Sequence, residues 1–146
     1  MYTAVVLDEK SHLKLTKWAD DNIKVNGVRL PILLNKNEWS MHDLKGKLIG
    51  CHHMTINMGK ALPQIESYLG TKQILEVTQY GISDKAIAVR VVGFYVDPGE
   101  INRKPHITVA VNRRIGGEPV DSNEITNWTL VNKSFKLSGE VREVKI

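Results

Sequence analysis

Two short segments place the strongest constraint on how this chain can fold. Residues 53–56 (His-Met-Thr-Ile) and 106–109 (His-Ile-Thr-Val) both read histidine, any residue, threonine and then an aliphatic residue. The chain holds five histidines and eight threonines, a composition in which about 0.3 His-x-Thr triplets are expected by chance. Two triplets, each within a strand-like run, therefore indicate a repeated local structure.

Both segments alternate between polar and apolar residues, as half-buried strands do, because successive side chains point to opposite faces. In the segment 50–58, alternation places His53 and Thr55 on one face and His52 on the other. The first face also carries Cys51 and Asn57, and the second carries Met54, Ile56 and Met58. In the later strand, His106, Thr108 and Ala110 share a face, opposite Ile107, Val109 and Val111. Each strand is thus expected to present its histidine and threonine together.

The rest of the chain predicts a single α+β domain over residues 1–146. Strands are expected at 2–7, 28–34, 50–58, 73–82, 85–96, 106–112 and 135–146, and helices at 10–22 and 62–69. Asp8 or Ser11 is expected to cap the first helix. Loops or turns are expected at 35–48, 83–84, 97–99, 113–117 and 121–124. The repeated motif suggests two related lobes with pseudo-twofold antiparallel sheets that line a central cleft, and with the helices outside.

Composition narrows the class of protein. A hydrophobic content of 42%, a charged content of 25% and a net charge of +4 are ordinary for a globular chain. The apolar runs are too short to span a bilayer, and the N-terminal segment has no features of a signal peptide. The single cysteine excludes an intrachain disulfide and fits a reducing cytoplasm. A monomer is expected. The mild charge favours an anionic small molecule or short RNA over duplex DNA, and no membrane partner is expected.

Paired His-x-Thr strands can perform chemistry on a phosphate. A histidine and a threonine two residues apart on one strand can contact two oxygens of one tetrahedral anion. Of two imidazoles, one can act as the base and the other as the acid, and the hydroxyls can hold the oxygens on which charge develops. No metal or cofactor is needed for this reaction. Since His52 and His53 alternate to opposite faces, they are not expected to chelate a metal together.

The motifs at 53–56 and 106–109 resemble those of the two-histidine (2H) phosphoesterase superfamily. This superfamily includes RNA 2′,3′-cyclic phosphodiesterases and phage proteins that destroy cyclic nucleotide signals. The resemblance implies a bilobal α+β domain with a central cleft, His53 and His106 as the acid/base pair, and Thr55 and Thr108 as the phosphate clamps. It leaves open which histidine is the base. A phage-encoded member would act in the host cytoplasm.

The expected function is therefore metal-independent hydrolysis of a nucleotide 2′,3′-cyclic phosphate, on an RNA end or a mononucleotide. One alternative is a phosphodiesterase for cyclic di- or oligonucleotide or 2′-5′ oligoadenylate signals. Another is a non-catalytic nucleotide- or RNA-binding module. Tyr2 and Trp39 are candidates to stack on a base, and Arg113 and Arg114 are candidates to line the rim of an anionic cleft. Each of these four also has a structural interpretation, in the core or in a solvated loop.

Overall fold

The computed structural model describes residues 1–97 and 104–146 and shows a mixed α+β chain. Strand β1 (Tyr2–Leu7) is followed by helix α1 (Glu9–Asn22), as the sequence predicts. Asp8 is the N-cap, and its Oδ1 accepts a hydrogen bond of 2.7 Å from the backbone N–H of Ser11. That bond satisfies one of the donors that a helix start leaves unpaired.

The later elements are mostly strands. In chain order they are β2 (Lys24–Val25), β3 (Val28–Arg29), α2 (Leu30–Asn35), β4 (Trp39–Ser40), β5 (His53–Met58), β6 (Lys72–Ile82), β7 (Ala86–Val92), β8 (His106–Asn112) and β9 (Trp128–Val144). Short 3₁₀ turns occur at Glu66–Tyr68, Arg113–Ile115 and Pro119–Glu124. None of the helices in the described residues is long and apolar enough to cross a membrane.

One seven-stranded sheet closes into a barrel. Neighbouring strands follow the order β8-β5-β1-β9-β6-β7, and β7 pairs again with β8 while β4 adds beside β8. The pair Met54–Ile107 joins β5 to β8 and completes the ring. Side chains that are fully buried fill the core, among them Val5, Leu75, Val89, Ile107 and Val141. Leu15 from α1 belongs to the same cluster, so the helix covers this core.

The expectation of two sheets facing each other across a cleft is not confirmed. The two motif strands, β5 and β8, are hydrogen-bonded neighbours within one sheet. Strand β5 uses its other edge to pair with β1, and β8 uses its other edge to pair with β7. The remaining edges of the motif strands meet at one residue pair, Met54–Ile107, and β4 pairs with the far end of the same edge of β8.

Each motif strand carries a β-bulge directly after its threonine. Against β1, Ala4 pairs with Thr55 and Thr3 pairs with Asn57, so Ile56 is the extra residue. Against β7, Ala88 pairs with Thr108 and Ile87 pairs with Ala110, so Val109 is the extra residue. An extra residue shifts the alternation of every side chain beyond it.

Several element boundaries differ from the sequence expectation. Residues 28–34 are mainly helix α2, because Pro31 stands in its first turn where a proline is tolerated. The expected helix 62–69 is only a 3₁₀ turn, and the strand expected at 50–58 begins at His53. Strand β7 ends at Val92, and β9 begins at Trp128, before the expected residue 135. The turn expected at 97–99 lies mostly outside the described residues.

Candidate active site

The four motif side chains line one cleft with a volume of about 440 Å³. Met54 pairs with Ile107 between the two antiparallel motif strands, so the two triplets lie next to each other where the strands meet. Other cleft residues include Tyr2, Lys45, Lys47, Met58, Pro119 and Asn123. The structure brings together the four residues that the sequence singled out.

His53 is partly buried and held from two sides. The ring of Tyr2 stacks on it, with the ring centroids 4.7 Å apart and the planes at 29°. On another side, Nδ1 of His53 lies 2.9 Å from Nδ1 of His52. Burial, supported by the positive charges of His52, His106 and Lys47, lowers the pKa of His53 to about 3. The ring is therefore neutral at pH 7 when the cleft holds no anion.

His52 is a direct neighbour of His53, although the sequence placed it on the opposite face. Its ring meets that of His53 edge-on at 82°, and burial lowers its pKa. In the bond between the two Nδ1 atoms, one imidazole donates and the other accepts. This contact selects the tautomer of His53 and therefore determines whether its second ring nitrogen, Nε2, carries a proton. His12 lies near His52, and its Nδ1 donates to the carbonyl of Cys51 at 2.8 Å.

His106 is oriented by the backbone. Its Nδ1–H donates to the carbonyl oxygen of Lys104 at 2.8 Å. A carbonyl can only accept, so Nδ1 keeps its proton in both charge states of the ring. Nε2 is then the nitrogen at which His106 gains or loses a proton. The side chain is half-buried at the first residue of β8.

The two threonines differ in their surroundings. Thr108 is buried, with only 8% of its surface exposed, and its hydroxyl lies 2.8 Å from the hydroxyl of Ser122. Ser122 is itself 2% exposed and belongs to the 3₁₀ turn over the cleft. Thr55 is half-buried and lines the cleft. The Thr108 hydroxyl is thus fixed by the protein, whereas that of Thr55 faces the cavity.

The bulge in β5 corrects the expected faces of this strand. Asn57 was expected beside His53 and Thr55, but it is 2% exposed and its side-chain amide donates to the carbonyls of Met58 and Lys60. Met58 was expected on the apolar face, yet it is 62% exposed and lines the cleft. The reason is the extra residue Ile56, which turns both later side chains over.

Two lysines at the cleft were missed by the sequence interpretation, which assigned 35–48 to a loop. Lys45 and Lys47 line the cleft from a tight turn. Oδ1 of Asp43 accepts from the backbone N–H groups of both lysines at 2.9 Å, and these bonds lower the pKa of Asp43. Gly46 completes the turn with φ of +83°. An Asp-x-Lys-Gly-Lys pattern shortly before the first motif was the available signal.

The four additional candidates have different outcomes. Tyr2 lines the cleft, but one face of its ring covers His53. Trp39 is a core residue with 4% exposure, which contradicts a role in stacking on a base in the cleft. The guanidinium of Arg113 donates to Ser40 Oγ at 2.9 Å and to the carbonyl of His42.

Arg114 is also held away from the motif residues. It pairs with Glu38 at 3.5 Å and lines a separate pocket near Trp39. Within the loop expected at 113–117, Arg113–Ile115 form a 3₁₀ turn, and the side chain of its N-cap Asn112 accepts from the N–H of Arg114. The contacts of both arginine side chains are thus made outside the cleft.

Cys51 does not share the cleft with His53 as alternation suggested. It precedes the strand with φ of +53°, is fully buried, and has its thiol pKa raised to about 12 by burial. Such a thiol is protonated and a poor nucleophile. Among residues 1–97 and 104–146, no group of three or more His, Cys, Asp or Glu side chains is placed to hold a metal ion.

Comparison with protein-family models and with curated proteins gives no match for this chain.

Proposed function

We propose that this protein is a metal-independent phosphodiesterase that hydrolyses a nucleotide 2′,3′-cyclic phosphate at an RNA end or on a mononucleotide. The observation that supports it is the convergence of His53, Thr55, His106 and Thr108 in one cleft. Two imidazoles with two hydroxyls are the groups needed for in-line displacement at phosphorus by acid and base catalysis.

His53 is the base in this proposal. Its low pKa keeps the ring neutral, so a nitrogen lone pair is available to take a proton from the attacking water. A pKa near 3 alone would make a weak base, but an anionic phosphate beside the ring favours the protonated form and raises that pKa. Substrate binding therefore increases the basicity of His53 at the moment when it is needed.

His106 is the acid. Because its Nδ1–H is committed to the carbonyl of Lys104, the proton that it delivers is on Nε2. Water attacks phosphorus as His53 removes its proton, the bond from phosphorus to one ribose oxygen breaks, and His106 protonates that oxygen. The products are a phosphomonoester and a free ribose hydroxyl, with one proton moved from His106 to His53 in net terms.

The remaining cleft residues bind the anion. The Thr55 hydroxyl donates to a non-bridging oxygen, and the Ser122 contact orients the Thr108 hydroxyl toward another. Lys45 and Lys47 attract the phosphate and offset the charge that builds on its oxygens. A monomeric state, a cytoplasmic location and a lack of affinity for duplex DNA stay predictions from the sequence.

The second candidate is a phosphodiesterase for a cyclic di- or oligonucleotide or a 2′-5′ oligoadenylate. It is favoured by a second cavity that adjoins the cleft and shares lining residues with it, which offers room for a further nucleoside. A non-catalytic nucleotide-binding module shares the cleft but predicts binding without turnover.

The test is incubation of the purified protein with cyclic mononucleotides, cyclic dinucleotides and 2′-5′-linked oligoadenylates in EDTA. We expect a new phosphomonoester signal in ³¹P NMR for at least one substrate, with a bell-shaped pH dependence. Unchanged turnover in the His53→Ala, His106→Ala double variant would contradict the mechanism, and binding without product would favour the binding module.

A further inference from the structure

The cleft adjoins a second cavity of about 530 Å³, which we call the side pocket. The two cavities share five lining residues, namely Asp43, Lys45, Ile49, Pro119 and Val120. The volume of the side pocket lies within the range of roughly 300–1,000 Å³ that is usual for small-molecule sites. A ligand held at the motif residues thus has a second cavity next to it.

The walls of the side pocket are mainly aliphatic. Leu44, Ile49, Val111 and Val120 line it together with Pro119. Val111 reaches this surface because the bulge at Val109 turns over the end of β8, in the way that the bulge at Ile56 brings Met58 to the cleft. Leu44 is 87% exposed and Val120 is 60% exposed, so two apolar side chains at this cavity are open to solvent.

Charge argues against a second phosphate at this position. Arg113 faces the side pocket, but its guanidinium is bound to Ser40 and to the carbonyl of His42. The carboxylates of Asp43 and Glu118 also line the pocket and offset Lys45 and Arg113. A flat, uncharged group with hydrogen-bond donors at its edge suits aliphatic walls flanked by carboxylate oxygens.

We propose that the side pocket binds the base of a second nucleoside, so the substrate is a phosphodiester that contains at least two nucleosides. The proposal rests on the proposed function for the position of the reacting phosphate at His53 and His106. The second base then lies between the turn of Leu44 and the 3₁₀ turn that begins at Pro119.

The test compares two probes, adenosine 2′,3′-cyclic monophosphate and the dinucleotide ApA with a terminal 2′,3′-cyclic phosphate. The dinucleotide is expected to have a kcat/KM that is about tenfold higher, because burial of part of the second base against aliphatic side chains removes apolar surface from water. In ¹⁵N-labelled protein, the dinucleotide should shift the amide signals of Gly116 and Gly117, which line the side pocket and not the cleft. The mononucleotide should leave these two signals in place.

The variant Leu44→Gln tests the pocket without disturbing the core, because this side chain is exposed. It should lower the dinucleotide advantage severalfold and leave the mononucleotide rate unchanged. Leu130→Gln is the matched control, since Leu130 is 74% exposed on β9 and lies outside both cavities.

The outcomes separate this inference from the proposed function. Equal kcat/KM for both probes, with Gly116 and Gly117 unshifted, would overturn the subsite and leave the phosphodiesterase standing. If neither probe is cleaved but the dinucleotide still shifts both amides, the phosphodiesterase fails and the subsite stands. If neither turnover nor amide shifts are observed, both the phosphodiesterase and the subsite are overturned.

Discussion

Strands β5 and β8 carry the same triplet and the same bulge, yet they present it in opposite ways. On β5, the histidine is buried against Tyr2 and His52, and the threonine faces the cavity. On β8, the threonine is buried against Ser122, and the histidine is tied to a backbone carbonyl at the start of the strand. The repeated motif and its bulge are thus not matched by equal surroundings.

This difference shows how one motif can supply two chemical roles. Two coupled imidazoles in equal surroundings would release their protons in two steps that belong to the pair, and neither ring would be the base or the acid in advance. Burial of His53 keeps that ring neutral, whereas His106 has a permanent acceptor at Nδ1. The following experiments test this asymmetry, from the largest expected effect to the smallest.

Removal of either imidazole should nearly abolish turnover. His53→Ala and His106→Ala are each expected to lower kcat by about 10²–10⁴-fold, because each removes one proton transfer. The control is His42→Ala, since His42 lines the side pocket but not the cleft. Turnover of a cyclic mononucleotide is the measurement, with circular dichroism to verify folding. A single variant with full activity would remove that histidine from the mechanism.

Acid should destabilise the protein through His53. Its folded pKa of about 3 lies below the ordinary value of 6.5, so the unfolded chain binds the extra proton. The free energy of unfolding is therefore not reduced by His53 above pH 6.5. It decreases as the pH falls toward 3, by on the order of 4 kcal/mol. The groups that face His53, namely Tyr2, His52, His106 and Lys47, are all retained in His53→Gln.

Urea unfolding of the wild type and His53→Gln between pH 7 and pH 4 measures this effect. The wild type should lose more stability over this range than the variant does, because glutamine does not titrate. His52 adds a loss in the same direction in both proteins, since burial also lowers its pKa. Parallel pH curves would show that His53 is not buried in its neutral form.

The threonines should differ in stability. Thr108→Val leaves the buried hydroxyl of Ser122 without this partner, which costs about 1–3 kcal/mol in the free energy of unfolding. Thr55→Val changes a side chain at the cavity surface and should cost less than about 0.5 kcal/mol. Denaturant unfolding at pH 7 compares the two variants. Equal losses would mean that the two threonines have equivalent surroundings.

The smallest expected effect concerns His52. His52→Phe keeps a ring of similar shape but removes the nitrogen that contacts His53, and should lower kcat by about tenfold. The ¹⁵N shifts of the His53 ring should change as well, since its tautomer is no longer selected. His52→Asn, which can still hydrogen-bond, should restore part of both readouts. An unchanged His53 spectrum in His52→Phe would exclude this positioning role.

Much of the local structure could be predicted from the sequence. Strand β1, helix α1 with its Asp8 cap, and the hairpin between β6 and β7 were all predicted. These features depend on alternation, helical periodicity and turn residues, which act over a few neighbours. The strand predicted at 28–34 was wrong, because a short apolar run with a proline is compatible with either a strand end or a helix start.

The cleft was predictable only in part. The shared face of His53 and Thr55 follows from alternation before the bulge, whereas Met58 and Asn57 exchange faces after it. Lys45 and Lys47 reach the cleft through a turn whose position depends on distant packing. Trp39, Arg113 and Arg114 likewise lie outside the cleft because of contacts that exist only in the folded chain.

The sequence by itself determined that two strands each present a histidine and a threonine on one face, because the period of a strand is a property of the backbone. Only the tertiary structure decided that these strands are neighbours, joined at Met54 and Ile107, and that each bulges after its threonine. It also decided that His53 packs against Tyr2 and His52, whereas His106 donates to the carbonyl of Lys104. Strand pairing and solvent exclusion depend on residues far apart in the chain, and local patterns do not encode them.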